Sequence, residues 1–383
     1  MWDLQRFDGR LYIGGGNSSN EGPDSNAGPV PIWSFNPQTH AFTNEFSVDD
    51  EQTEVFRVLD GQLTVPGHDP REDWSKGNFY RLEGNAWKKY RTIPNGIHTY
   101  DLAQFGGKLY AALGTDKDFQ LAASSDKGAT WQTFPTVTGR TFTLGEFEGH
   151  LLAWGSLPSL ETWKSVRAIA KPETREAALK DLSWSAGEFS PDGTLSPRPD
   201  LTADVVFPGA DVSSAGEKLV RPTVWNAPFK RPSPRRLLYI GGAPHNDHQT
   251  DPFALYVADS LRPGKVSVHR VALGKNDKPW DIAATREAVY VLTSEKIEQT
   301  GAPDDFVVRV WMTRDTQFWT PLLQFHAPTF ARSMEFDGRN FYFGLGTDVG
   351  PGFPDIPSYT RDLRSEAGQI WRVASPRVVS LRF

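Results

Sequence analysis

The feature that most constrains this chain is a phrase that returns along it. Phe7-Asp8-Gly9-Arg10-Leu11-Tyr12-Ile13 comes back as Leu59-Asp60-Gly61-Gln62-Leu63-Thr64-Val65 and as Phe105-Gly106-Gly107-Lys108-Leu109-Tyr110-Ala111. It comes back again as Phe147-Glu148-Gly149-His150-Leu151-Leu152-Ala153 and Phe336-Asp337-Gly338-Arg339-Asn340-Phe341-Tyr342. Each copy reads as a strand ending, a tight turn built on glycine, and a second strand of alternating apolar residues. Such a hairpin recurring every ~40–50 residues predicts an all-β chain arranged as a β-propeller, a ring of radially repeated sheets.

Tyr12, Thr64, Tyr110, Leu152, Tyr239, Tyr290 and Phe341 fall at equivalent places in the repeat, which predicts seven four-stranded blades in one domain over residues 1–383. Outer strands are expected at 31–35 with 41–48, 79–82 with 86–91, 253–258 with 266–271, 306–313 with 318–325, and 369–374 with 378–383. The wide gap between Leu152 and Tyr239 predicts an insertion at 156–216, within or after the fourth blade. Its segment 171–182 reads as a helix, with Pro172 near the start and good helix formers after it. That insertion either decorates the side or rim of the ring or caps one face. The chain starts on a first strand and ends on a fourth, so the first and last sheets are expected to close the ring by packing face to face.

A formal charge of −6 argues against a nucleic-acid surface. No run approaches the ~20 apolar residues that would span a bilayer. Cysteine is absent, which excludes disulfides, zinc–thiolate sites and cysteine nucleophiles. The abundant Pro and Trp and the long polar loops favour an extracytoplasmic or secreted protein whose signal has been removed, with a cytoplasmic location as the other reading.

Ser124-Ser125-Asp126-Lys127-Gly128-Ala129-Thr130-Trp131 fits the pattern Ser-x-Asp-x-Gly-x-Thr-Trp and resembles the Asp-box, or BNR repeat, of sialidase-like propellers. In such a turn Gly128 takes a conformation other residues resist, Asp126 bonds turn amides beside Ser124, and Trp131 packs between sheets. Weaker echoes are Thr313-Arg314-Asp315 with Trp319, Ser34-Phe35-Asn36-Pro37 with Phe42, and Glu83-Gly84-Asn85 with Trp87. The box is structural in enzymes and non-enzymes alike. Sialidases hold a sugar carboxylate with three arginines, and the resemblance implies Arg140, Arg221 and Arg332 for that place. The family's N-terminal Arg-Ile-Pro signature and an assignable Tyr–Glu pair are both missing, and the family's rings have six blades.

Strand order separates the two faces of the ring. Turns between strands one and two are minimal here, whereas the two–three loops 14–30, 66–77, 241–252, 293–305 and 346–368 are long and polar. The face bearing those loops is the expected binding surface. On it lie His68, Asp69, Arg71 and Trp74 with Glu72 and Asp73; His245, Asp247, His248 and Asp251; and Asp348 with Tyr359. His98, at the start of a first strand, reaches the same mouth. The spacing of His245, Asp247, His248 and Asp251 suits a divalent cation such as calcium, or simply a solvated loop. Acids also recur on first strands at Asp3, Asp101 and Asp281, either bonding neighbouring backbone or forming an acidic ring near the axis.

Two functions follow. One is a recognition propeller that binds a glycan or protein partner through the loop-rich face. The other is a glycan-active enzyme, hydrolase or lyase, needing a carboxyl pair ~5–5.5 Å or ~6.5–9.5 Å apart. Candidate acids for such a pair are Asp69, Glu72, Asp73, Asp247, Asp251 and Asp348, and no catalytic residue is selected by spacing alone.

Overall fold

The computed structural model describes residues 3–16, 29–117, 119–135, 140–157, 168–171, 173–174, 185–210, 223–224, 230–233, 236–244, 250–297, 305–346 and 368–374. It is all-β, in a β-propeller arrangement. The first sheet holds β1 (Leu4–Phe7), β2 (Arg10–Ile13), β3 (Val30–Asn36) and β4 (Ala41–Val48) in sequence order. The second holds β5 (Arg57–Leu59), β6 (Gln62–Pro66), β7 (Lys76–Glu83) and β8 (Ala86–Pro94).

An eight-stranded sheet follows. Its strands are β9 (His98–Phe105), β10 (Lys108–Gly114), β11 (Phe119–Ser124), β12 (Gln132–Pro135), β13 (Arg140–Phe147), β14 (His150–Leu157), β15 (Ser185–Phe189) and β16 (Leu195–Pro197). The next sheet holds β17 (Thr223–Val224), β18 (Lys230–Ser233), β19 (Arg236–Pro244), β20 (Thr250–Ser260) and β21 (Ser267–Arg270). Then come β22 (Lys278–Ala284), β23 (Val289–Ile297), β24 (Asp305–Thr313) and β25 (Thr320–Ala327), and finally β26 (Ala331–Phe336), β27 (Asn340–Leu345) and β28 (Ile370–Ala374).

The expected seven separate blades are therefore not what the hydrogen bonding gives. The described residues form six sheets, five of them with four or more strands. The join arises because Gly114, at the end of β10, pairs with Arg140 at the start of β13. The expected insertion is also corrected in part, since β15 and β16 extend β14 as ordinary antiparallel strands. Of the predicted helix, Glu173 and Thr174 are helical and most of the rest lies outside the described residues. A one-turn helix, α1 (Ala203–Val206), buries Val206 against β19, where the Tyr239 hydroxyl donates to the Val206 carbonyl. The expected strand at 378–383 lies outside the described residues.

The recurring phrase does the work its glycines predict. Asp8-Gly9, Asp60-Gly61, Gly106-Gly107 and Glu148-Gly149 all have positive φ, the two-residue turn whose twist matches its flanking strands. The fifth copy differs. Asp337 Oδ1 accepts the amides of Arg339 and Asn340, each at 2.7 Å, and only Gly338 has positive φ.

Second strands such as β10 are buried on both sides, because each sheet is packed between two others. Tyr110 and Ala112 join one apolar cluster with Leu144 and Leu151, while Leu109 and Ala111 join another with Phe79 and Ile93. Leu4 and Leu11 of the first sheet share a cluster with Tyr342 of the last, so these two sheets meet face to face as expected. Glu335 Oε1 also accepts the Arg6 amide at 3.1 Å across that junction.

Candidate binding site on the loop face

Three chain segments cross from sheet to sheet at the loop-bearing end of the inner strands. Residues 49–56 connect β4 to β5, 66–69 leave β6, and 97–100 enter β9. They lie side by side: Glu51 N donates to His68 O at 3.0 Å, Asp69 N to Ile97 O at 2.8 Å, and Thr99 N to Gly67 O at 2.8 Å. His68 thereby sits between Gln52 and His98 in a short cross-sheet ladder. Tight backbone approach is possible because Gly67 and Gly114 lack side chains. A Cβ on Gly67 would lie 2.6 Å from Asp50 Oδ1, and one on Gly114 2.8 Å from the Tyr100 ring and 3.0 Å from His98.

This ladder carries an unusual load of buried polar groups. Asp50, Glu51, Gln52, Thr53, His68, Asp69 and Thr99 are all buried. Asp50 accepts from the Tyr80 hydroxyl and from Asn78 Nδ2 at 3.0 Å. Burial raises its carboxyl to about 7 against the pull of those two donors. Glu51 is raised further, to about 9, by burial and then by the charge of Asp69, with which it shares a hydrogen bond. Asp69 is itself raised by burial and pulled back by Glu51 and Arg140. Its φ of 48° is the left-handed conformation that short polar side chains tolerate best. Burial thus favours the protonated form of both Glu51 and Asp69, and each bears on the other through the hydrogen bond they share.

The aromatic wall of the site is Tyr100. His98 stacks on it at 5.3 Å, His68 meets its edge at 5.2 Å and Phe142 lies 4.6 Å away. Arg140 places its guanidinium 5.9 Å from the Tyr100 ring centre and donates to the Tyr100 hydroxyl. Burial lowers both histidines, and the Arg140 charge lowers His98 further. Burial therefore favours the neutral form of both imidazoles, most strongly for His98. His98 Nδ1 lies 3.4 Å from Asp69 Oδ1, and His68 Nδ1 lies 3.1 Å from Gln52 Nε2. Among the described residues no carboxylate comes within ion-pair distance of Arg140. Several buried atoms here lack a hydrogen-bond partner: Asp50 Oδ1, Glu51 Oε2, Gln52 Oε1, Thr53 Oγ1, His68 Nε2, Asn78 Oδ1 and Thr99 Oγ1.

The structure thus brings together His68, Asp69, His98 and Arg140 of the residues singled out from sequence, and keeps others apart. Trp74 stands 52% exposed, and Arg71 is exposed with its amide on Asp49 O. Glu72 is held by Lys89, and Asp73 pairs with Arg91 at 3.0 Å. Hydrogen bonds from Ser75 and Arg91 hold the Asp73 carboxyl down at about 2. Neither is suited to proton donation. Arg332 lies on β26, in a different sheet. Arg221, His245, Asp247, His248, Asp348 and Tyr359 lie outside the described residues, and of Asp251 only the backbone, opposite Ala243 on β20, is described. The calcium reading rests on that loop. Among the described residues no three His, Asp or Glu side chains converge as a metal site would require.

Sequence reasoning missed the run from Asp49 to Glu54, which looks like a solvated loop. Only its position between two strands carried the signal that it must cross the inner end of the ring.

The Asp-box residues form a turn. Ser124 Oγ donates to Asp126 Oδ1 at 2.7 Å and accepts from Gly128 N at 2.7 Å, while Asp126 accepts from Thr130 N and Oγ1. Gly128 has φ 93°, and Trp131 Nε1 reaches Gly128 O and Thr92 Oγ1. Thr313, Asp315, Thr316 and Trp319 repeat the circuit between β24 and β25.

No protein-family model matches the sequence, and no curated protein matches it. Among solved structures it is similar to hydrazine synthase from Kuenenia stuttgartiensis, with a TM-score of 0.53 and 10% identity over 98% of this chain and 95% of that one. Virginiamycin B lyase from Staphylococcus aureus gives 0.48 and 9% over 90% and 91%. The β-propeller domain of the Trilobed protease from Pyrococcus furiosus gives 0.45 and 10% over 89% and 87%. At these identities the likeness concerns the fold alone. The chain is a β-propeller, a class that hosts enzymes and binding proteins alike. Membership of the sialidase-like family, expected from the turn at Ser124–Trp131, gains no support from these comparisons.

Proposed function

We propose that this protein is a recognition propeller whose loop-bearing face binds a glycan, with Arg140, His98 and Tyr100 at the point of contact. One observation carries the reading. Arg140 is part-buried against Tyr100 without a carboxylate partner among the described residues, above a layer of buried polar atoms whose hydrogen bonds are unmet. Groups of this kind match hydroxyl-rich and anionic ligands, and buried polar atoms in native proteins are otherwise satisfied. An extracytoplasmic setting fits such a ligand.

The Glu51–Asp69 pair is the observation that favours catalysis, since two buried carboxyls that share a hydrogen bond and are both raised by burial are a proton-sharing arrangement. Two features weigh against glycoside hydrolysis. The carboxyls are hydrogen-bonded to one another, closer than the ~5 Å that even a retaining mechanism uses. They are also buried beneath the surface.

A glycan array followed by calorimetry tests the proposal. Arg140→Gln is expected to weaken a glycan hit about tenfold or more, roughly 1.4 kcal/mol, with Tm little changed. Binding that Arg140→Gln leaves intact, or a wild-type protein silent on the array, would overturn it. Turnover of a glycan, lost in Glu51→Gln, would establish the enzyme instead.

A further inference from the structure

A second concavity lies on the same end of the ring but in different sheets. It is a cavity of about 670 Å³, walled by the first residues of β20 and by the connection from β21 to β22. Pockets that take small organic ligands span roughly 300–1,000 Å³, so the size is that of a binding site. Its apolar lining comes from Phe253, Leu255, Val271 and Leu273. Phe253 is held edge-on to Phe207 at 5.9 Å and to Tyr256 at 6.1 Å. Gly241 makes room for it, since a Cβ there would lie 2.6 Å from the Phe253 ring.

The polar lining is asymmetric in charge. Arg270, Lys275 and Lys278 are exposed at the rim. Among the described residues no carboxylate pairs with Arg270 or Lys275. Arg270 donates through Nη1 to Gly209 O at 3.1 Å, which leaves most of its N–H groups directed elsewhere. The acid in the lining, Asp277, is committed. Its fully buried carboxylate accepts from Arg309 and, at 2.8 Å, from Trp311 Nε1. Glu295, behind it, is held by Arg309 at 2.7 Å and by Asn276 at 2.9 Å. The cavity therefore offers an apolar wall, a neutralised floor and a rim where Arg270 and Lys275 have no carboxylate partner among the described residues.

The geometry points to a second ligand site, for a small amphipathic anion: an apolar body buried against Phe253, Val271 and Leu273, and a carboxylate, sulfonate or phosphate held by Arg270 and Lys275. Charge complementarity at the rim supplies orientation, and the apolar wall supplies area. The site is independent of Arg140 and of whatever binds there.

The test uses 8-anilinonaphthalene-1-sulfonate as a fluorescent occupant of the whole protein, with octanoate and octan-1-ol as competitors. The expected result is one saturable probe site, from which octanoate displaces the probe at least ~tenfold more effectively than the uncharged alcohol. Arg270→Gln with Lys275→Gln is expected to abolish that preference, while Leu273→Trp, which fills the cavity, weakens probe and both competitors. Both rim side chains are exposed, so Tm serves as the check that the double variant is folded. Equal competition by octanoate and octanol would overturn the inference. So would a folded double variant that keeps the wild-type preference, or the lack of a saturable site.

Discussion

Asp281 Oδ2 accepts the backbone N–H of Met334 at 2.7 Å, so the innermost strand of one sheet holds the innermost strand of the next. The same latch is made by Asp3 to Phe56 N at 2.7 Å and by Asp101 to Leu144 N at 2.9 Å. The recurring acid on first strands thus fastens one first strand to the next, between sheets at Asp3 and Asp281 and within the eight-stranded sheet at Asp101. Asp281→Ala removes a charged acceptor from buried amides and is expected to cost about 1.5–3 kcal/mol. Asp101 also bonds Arg57, whose Nε lies 2.8 Å away in a nearly buried pair, so Asp101→Ala, which strands that guanidinium, is expected to cost about 3 kcal/mol or more. Urea unfolding of the two variants checks both values. A loss below about 1.5 kcal/mol in Asp101→Ala would show that the Arg57 pair adds nothing.

The Asp-box glycine makes a second prediction. A Cβ on Gly128 would lie 2.4 Å from Phe79 Cζ, and its φ of 93° is one that L side chains resist. Gly128→Ala therefore combines overpacking with backbone strain, each worth roughly 1–3 kcal/mol. Gly15, with open space around its Cβ position and no positive φ, is the control: Gly15→Ala should leave Tm within a degree or two of wild type.

How much of this was legible in the chain differs between the fold and the site. Hairpins at Asp8-Gly9 and Glu148-Gly149 are local: two residues with positive φ dictate a turn, and the turn dictates its strands. The strands at 185–189 and 195–197 were lost because Ser185-Ala-Gly-Glu-Phe189 has one large apolar residue, and only neighbouring strands define it. The site is less local still. His68, Asp69, His98 and Arg140 were visible as chemistry-bearing residues at strand ends. That Glu51 would meet Asp69 follows only from the cross-sheet ladder, which periodicity within a strand does not encode.

Burial of Asp50 and Glu51 makes stability depend on pH in a direction opposite to ordinary acid denaturation. Their folded-state values, about 7 and about 9, lie above the ordinary 3.8 and 4.5. The folded protein therefore binds more protons than the unfolded chain between those limits. The stabilisation these groups allow is complete below about pH 4 and is lost as pH rises through 7 and then 9, each group contributing a slope of up to about 1.4 kcal/mol per pH unit. Urea midpoints at fixed temperature are expected to fall from pH 5 to pH 9. Asp50→Asn and Glu51→Gln, which mimic the protonated forms, should each flatten that fall. A wild-type midpoint constant over the range would show that both groups ionise in the folded state at little cost.

Arg140 and His98 offer a readout of the candidate site that does not depend on knowing its ligand. His98 is kept neutral first by burial, then by the Arg140 charge, then by His68. Imidazole nitrogen shifts followed by NMR are expected to show His98 neutral at pH 6, where a free histidine is largely protonated. Arg140→Gln removes the second cause and keeps the first, so His98 should titrate at higher pH in the variant while remaining below an exposed histidine. A bound anion beside Arg140 should act in the same direction by offsetting its charge, so a glycan hit that carries a carboxylate or sulfate is expected to raise the His98 titration in wild type. Neutral glycans should leave it alone. An upward shift in Arg140→Gln with none on adding an anionic hit would locate that ligand away from Arg140, and would separate the electrostatics of the cluster from its proposed role in binding.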